Sequence, residues 1–233
     1  MTSPGSSHIL SQFDEDLTVL RDLVLRMGGL VENQVAGAIE ALKQGDESFA
    51  RRVIEGDREI DRIELRSDEE IARLLALRSP LGIDLRTVLT LSKTVNDLER
   101  IGDEAKKIAR TSTRCVARGH EAGSLPLIDS ILTMAELARA MLHSALNALV
   151  RLDLDLAARV SNDDERLDDR CKTAYADGKA VMRGNPDLVD ATFEMVFIAR
   201  SLERIGDHAK NISNYVFYLV EGRDVRHPAV NPR

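Results

Sequence analysis

The chain has 233 residues, of which 43% are hydrophobic and 30% charged, with a formal net charge of −7. These values fit a soluble protein of one or two domains with a substantial core. They argue against a nucleic-acid binder, which would carry a basic face.

Residues 1–7 read as a small, polar, frayed start. The N-terminal stretch has neither a basic segment nor an apolar core of the signal-peptide kind. No apolar run approaches the roughly 18–20 residues needed to span a membrane. Cys115 and Cys171 lack metal-type spacing and form no disulfide framework, so a reducing compartment and a cytosolic location are expected. From about Ile9 to Lys43 apolar residues recur at helical spacing, among them Leu17, Leu20, Val24, Met27, Val31, Val35 and Leu42. Gly28 and Gly29 lie inside this helix, where they allow a bend or a close approach. Gly45 then stops it, and Asp46 caps the next. A second helix is predicted from about Asp46 to Leu77, ended by Ser79-Pro80. A third follows from about Ile83 to Ala117. GHEAGSLP, at 119–126, reads as a linker. The fourth helix covers about Leu127–Arg151, and Asp153 starts a fifth that runs to about Met182. Gly184-Asn185-Pro186 makes another turn. A sixth helix runs to about Glu221, and Gly222 closes it.

The third and sixth helices carry the same words. DLERIGDEAKKI at 97–108 returns as SLERIGDHAKNI at 201–212, 104 residues later. Earlier in each half, Met27, Ala38, Leu42, Asp46, Val53, Asp57 and Asp61 find the same residue 107 positions on, up to Asp164 and Asp168. The chain is therefore a tandem duplication of a three-helix unit. Short connections make neighbouring helices antiparallel. The expected fold is all-α: two antiparallel three-helix bundles over 8–118 and 125–222, a linker at 119–124 and a tail at 223–233.

Each repeat sets a Glu and an Asp four residues apart, Glu99 with Asp103 and Glu203 with Asp207, on one helical face. Counting from the turns puts Asp57 and Asp61 level with the first pair, and Asp164 and Asp168 level with the second. Four carboxylates at one height need a cation among them. Nearby arginines would make this a surface ion-pair network. The oxygen-rich donor set would equally suit a hard or borderline metal such as Mg, Mn or Fe. His208 stands where the first copy has Glu104; on a helix it faces away from the pair and reads as a surface or interface residue. The Glu-x-x-His pattern of di-iron bundles is missing, as are a phosphate loop and a nucleophile motif.

MGGLVENQV (27–35), SPLGIDLR (79–86), DLERIGDEAKKIAR (97–110), SLERIGDHAKNI (201–212) and YLVEGRDVRH (218–227) together resemble the PhoU family of phosphate-transport accessory proteins over nearly the whole chain. The resemblance departs at Glu104, and at Cys171, which stands where the first half has Glu64. It implies paired bundles, frequently dimeric, whose Glu-x-x-x-Asp motifs hold metal clusters. The metal would be divalent or trivalent (Fe, Mn, Mg or Zn), on Glu99, Asp103, Glu203 and Asp207, with Asp57, Asp61, Asp164 and Asp168 from the preceding helices. It further implies a non-enzymatic regulator that couples a phosphate ABC transporter, through its ATPase subunit, to a sensor histidine kinase and represses the phosphate regulon when phosphate is plentiful. Such a protein would be a homodimer that meets those membrane proteins without inserting into the membrane itself. The alternative is a metal-storing or metal-dependent protein built on the same clusters.

Overall fold

Six long helices account for the fold: α1 (Pro4–Gln44), α2 (Glu47–Arg78), α3 (Gly82–Ala117), α4 (Ile128–Arg151), α5 (Leu154–Gly184) and α6 (Val189–Glu221). The structure, a computed structural model, describes residues 4–118 and 121–226, and of residues 4–11 the backbone alone. Part of the expected frayed start (1–3), the first two linker residues Gly119 and His120, and the tail beyond Arg226 lie outside the described residues. The expectation for residues 4–7 is corrected. The helix already begins at Pro4, a residue suited to the first helical position because its missing N–H would be unpaired there anyway.

The duplicated start signal works identically in both halves. Asp46 and Asp153 sit in extended conformation, and their carboxylates accept from the N–H of Phe49 and Leu156, as N-caps do. Ser79 and Gly222 close α2 and α6 in the left-handed region. Pro186–Leu188 forms a short 3-10 turn before α6, and a second such turn covers Ala122–Ser124 in the linker.

Within each half the three helices pack on one another, and α3 and α6 then pack together across the halves. Residue pairing fixes the sense of that crossing. Asp97 meets Asn211, Glu104 meets Arg204 and Arg114 meets Glu194, so α3 and α6 run antiparallel. The helices α1 and α4 touch more lightly, where Glu32 reaches His143 and Gly28 faces Leu146. Buried side chains from both halves form one contiguous core that includes Leu20, Met27, Leu98, Ile101, Met134, Met141 and Ile205. No described helix is long and apolar enough to cross a membrane.

Candidate metal centres

The glycine beside each carboxylate pair lets the motif helix approach its neighbours closely. A Cβ on Gly206 would lie 2.5 Å from Leu167 and 3.2 Å from Met141. One on Gly102 would lie 3.0 Å from Gln34 and 3.3 Å from Ile60. The carboxylates of α2 and α5 are thereby brought against those of α3 and α6, as the count from the turns requires.

In the second half, Asp164, Asp168 and Asp207 offer oxygens that all lie within 4.8 Å of one another. Asp164 is buried, Asp168 half-buried and Asp207 exposed. Partial burial, followed by the charges of Asp164, Glu203 and Asp168, pushes the Asp207 carboxyl above its usual range. Glu203 stands just outside this group and is paired with Arg200. Lys210 places its ammonium on Asp164.

The first half is arranged differently. Asp57 is buried, accepts from Gln34 Nε2 at 3.0 Å and is paired with Lys106. Lys106 also lies 3.6 Å from Asp103. Glu99 lies 3.4 Å from Arg100, and Asp61 is exposed. Glu99 is pushed up by burial, then by Asp103, with Asp61 and Asp57 adding to it. All four expected residues are therefore neighbours electrostatically. Even so, among the described residues only the second half holds a trio of acidic, His or Cys side chains within 4.8 Å.

Two features escaped the sequence. The first is Glu64, half-buried near the first cluster, whose carboxyl burial and then the charge of Glu99 push up. Its counterpart Cys171 is buried, and burial pushes its thiol up. The first cluster is the looser, the second the tighter. The second feature is the cation already in place. Lys106 and Lys210 occupy equivalent positions, each on the buried aspartate of its half. The Ala-Lys that follows each motif shows that the lysines recur, but not that they turn onto the aspartates.

The donor chemistry fits a hard divalent ion. Three carboxylates converge in the second half, and their mutual repulsion is what such a charge would relieve. Asp164, Asp168 and Asp207 would hold the ion, and Lys210 already supplies one positive charge to Asp164. His208 takes no part. Its Nδ1 lies 2.7 Å from Asp97 of α3, which makes it an interface residue between the halves.

Comparison with known proteins follows the same duplication. The PhoU domain family matches twice, over residues 24–112 and 131–216. A phosphate-specific transport system accessory protein PhoU homolog of Pseudomonas putida is 43% identical over 220 residues, covering 94% of this chain and 85% of that protein. The PhoU of Escherichia coli is 38% identical over 222 residues, 95% of this chain and 90% of its own. The crystal structure of PhoU from Pseudomonas aeruginosa superposes with a TM-score of 0.87 at 40% identity, over 91% of this chain and all of that one. The phosphate transport system regulatory protein PhoU from Streptococcus pneumoniae gives 0.80 at 28% identity, over 91% of this chain and 99% of its own.

Proposed function

This chain belongs to the PhoU family, and on that premise we propose that it is a non-enzymatic regulator of phosphate uptake. In this reading it couples the ATPase subunit of a phosphate ABC transporter to a sensor histidine kinase and keeps the phosphate regulon repressed when phosphate is plentiful. The observation that carries the reading is the match to phosphate-specific transport accessory proteins across both repeats and nearly the full length. The geometry supports an adaptor. The described surface has long charged helices, and a shallow groove between α1 and α4 is lined by residues such as Glu32, Arg139 and His143. The protein would work in the cytoplasm as a homodimer, reaching the inner membrane through its protein partners.

The carboxylate clusters are proposed as metal sites, with Glu99, Asp103, Asp57 and Asp61 in one and Glu203, Asp207, Asp164 and Asp168 in the other. A metal there would supply charge neutralisation and tie α2 to α3 and α5 to α6. Fe, Mn, Mg and Zn all accept such oxygen donors to differing degrees.

The test is genetic and analytical together. Deleting the gene should make alkaline phosphatase constitutive in high phosphate, and the wild-type gene should restore repression. Elemental analysis should show bound metal that falls when Asp168 and Asp207 are replaced by Asn. A deletion strain that represses normally, with no second gene copy, would overturn the regulatory reading. The metal-storing alternative would then stand on any metal found.

A further inference from the structure

The chain is acidic overall, yet one face of the α3–α6 pair shows the opposite charge to solvent. On α6, Phe193, Phe197, Arg200 and Arg204 follow one another at spacings of four, three and four residues, so they form a single stripe. Beside it, Arg114 and Arg118 of α3 reach across to α6. The acids that partner these cations lie beneath them. The side chain of Glu194 is 9% exposed, while Arg114 and Arg118, which bind it, are 49% and 45% exposed. Glu104 is 3% exposed under Arg204 at 43%, and Glu203 17% under Arg200 at 55%. Between Asp190 and Asp207, exposed acids at the two ends of the stripe, a partner approaching this face meets guanidinium groups first.

Among these cations stands an apolar anchor. Phe193 and Phe197 are 54% and 50% exposed, in a chain with only five phenylalanines. Their rings pack edge to face with centroids 4.7 Å apart and planes at 81°, which holds them as one rigid unit. Val189, one turn earlier, is exposed too. An aromatic pair that shares its helical stripe with Arg200 and Arg204 has the composition of an interface centre, where aromatics and Arg are enriched.

We propose that this face, Phe193 and Phe197 framed by Arg114, Arg118, Arg200 and Arg204, docks a protein partner that presents carboxylates around an apolar residue. The inference rests on the regulatory reading above, which makes the transporter's ATPase subunit the partner to assay. Charge complementarity selects an acidic partner. The net charge of −7 disfavours anionic lipid, which would repel the rest of the molecule.

The experiment measures binding of purified full-length protein to the purified ATPase subunit by titration calorimetry, at low and moderate salt. The wild type is compared with a Phe193→Ala, Phe197→Ala double variant. Both rings are half exposed and alanine favours helix, so the variant should keep the wild-type circular dichroism and melting curve. A second variant, Arg118→Gln, tests the charge without touching the rings. The proposal expects the double variant to bind at least about tenfold more weakly, since a few central aromatic anchors carry most of an interface's binding energy. It also expects Arg118→Gln to flatten the salt dependence. Wild-type affinity retained by both variants overturns the docking face and leaves the regulatory reading intact. No binding by the wild type overturns both. Binding of wild type, but not the double variant, to vesicles rich in anionic lipid, with no effect on the ATPase subunit, shows a membrane face instead and also overturns the proposal.

Discussion

At the scale of single residues, the second cluster is a site of stored repulsion. The carboxyl of Asp207 is pushed up by burial and by three neighbouring carboxylates. The native state therefore binds its proton more tightly than the unfolded chain does. Stability falls as pH rises from the ordinary carboxylate range through the raised native value, and the penalty is complete above it. Asp207→Asn removes a charge from the group, so the metal-free variant should melt above the wild type at neutral pH. The difference should vanish below about pH 4, where the unfolded carboxylate is protonated. A divalent ion should raise the wild-type melting temperature and leave the variant nearly unmoved. Scanning calorimetry with and without chelator reads all three outcomes, and an unchanged or lower melting temperature for the metal-free variant at neutral pH would count against the cluster's charge balance as described. These carboxylates were legible in the sequence because the motif occurs twice and sits at a countable distance from each turn. Lys106 and Lys210 were written beside them but gave no sign that they would turn inward. Glu64 was missed because nothing in helical spacing says which flanking acid is half-buried.

At the scale of elements, the glycines separate into those that permit packing and those that merely weaken a helix. Gly206 lies under Leu167, itself 1% exposed, with no room for a methyl group. Gly29, in the middle of α1, has open space where a Cβ would stand, with nothing beyond its chain neighbours and its own helix backbone within 4 Å. Alanine is the better helix former by about 1 kcal/mol. Gly29→Ala should therefore stabilise the protein by up to that amount. Gly206→Ala should destabilise it, because forcing a methyl into a filled core costs roughly 1–3 kcal/mol and outweighs the helical gain. Chemical denaturation of the two variants checks the contrast, and a stabilised Gly206→Ala would show that α5 can retreat from α6. The helices themselves were readable to within a few residues from apolar period, the Asp46 and Asp153 caps and the two prolines of the turns. The adjacent Gly28 and Gly29 could not be told apart in the sequence. Only the arrival of Leu146 from α4, 3.1 Å from the Gly28 position, distinguishes them.

At the scale of the whole molecule, duplication predicts two bundles but says nothing of how they meet. The meeting surface is a seam of buried acids, each satisfied by the other half. Asp97, 6% exposed, accepts from Tyr215 at 2.6 Å and from Asn211 at 3.2 Å, with His208 at 2.7 Å. Glu104 takes Arg204 in the middle, and Arg114 grips Glu194 at both oxygens towards the other end. The sequence marked these places only as differences between the repeats: Asp97 where the second copy has Ser201, and Glu104 where it has His208. Separating the halves would break all three pairings, leaving Glu104 only Lys107 of its own half, and would expose the apolar surface shared by α3 and α6. The linker is thus not what holds the halves together. Protein cut once between residues 121 and 126 should keep its helix content, elute from a sizing column as one particle and melt in a single transition. Asp97→Ala in the cut protein should loosen the pair, because Tyr215, Asn211 and His208 lose their common acceptor. Wild-type fragments that elute separately while remaining fully helical would show that each bundle is self-sufficient and that the seam contributes little.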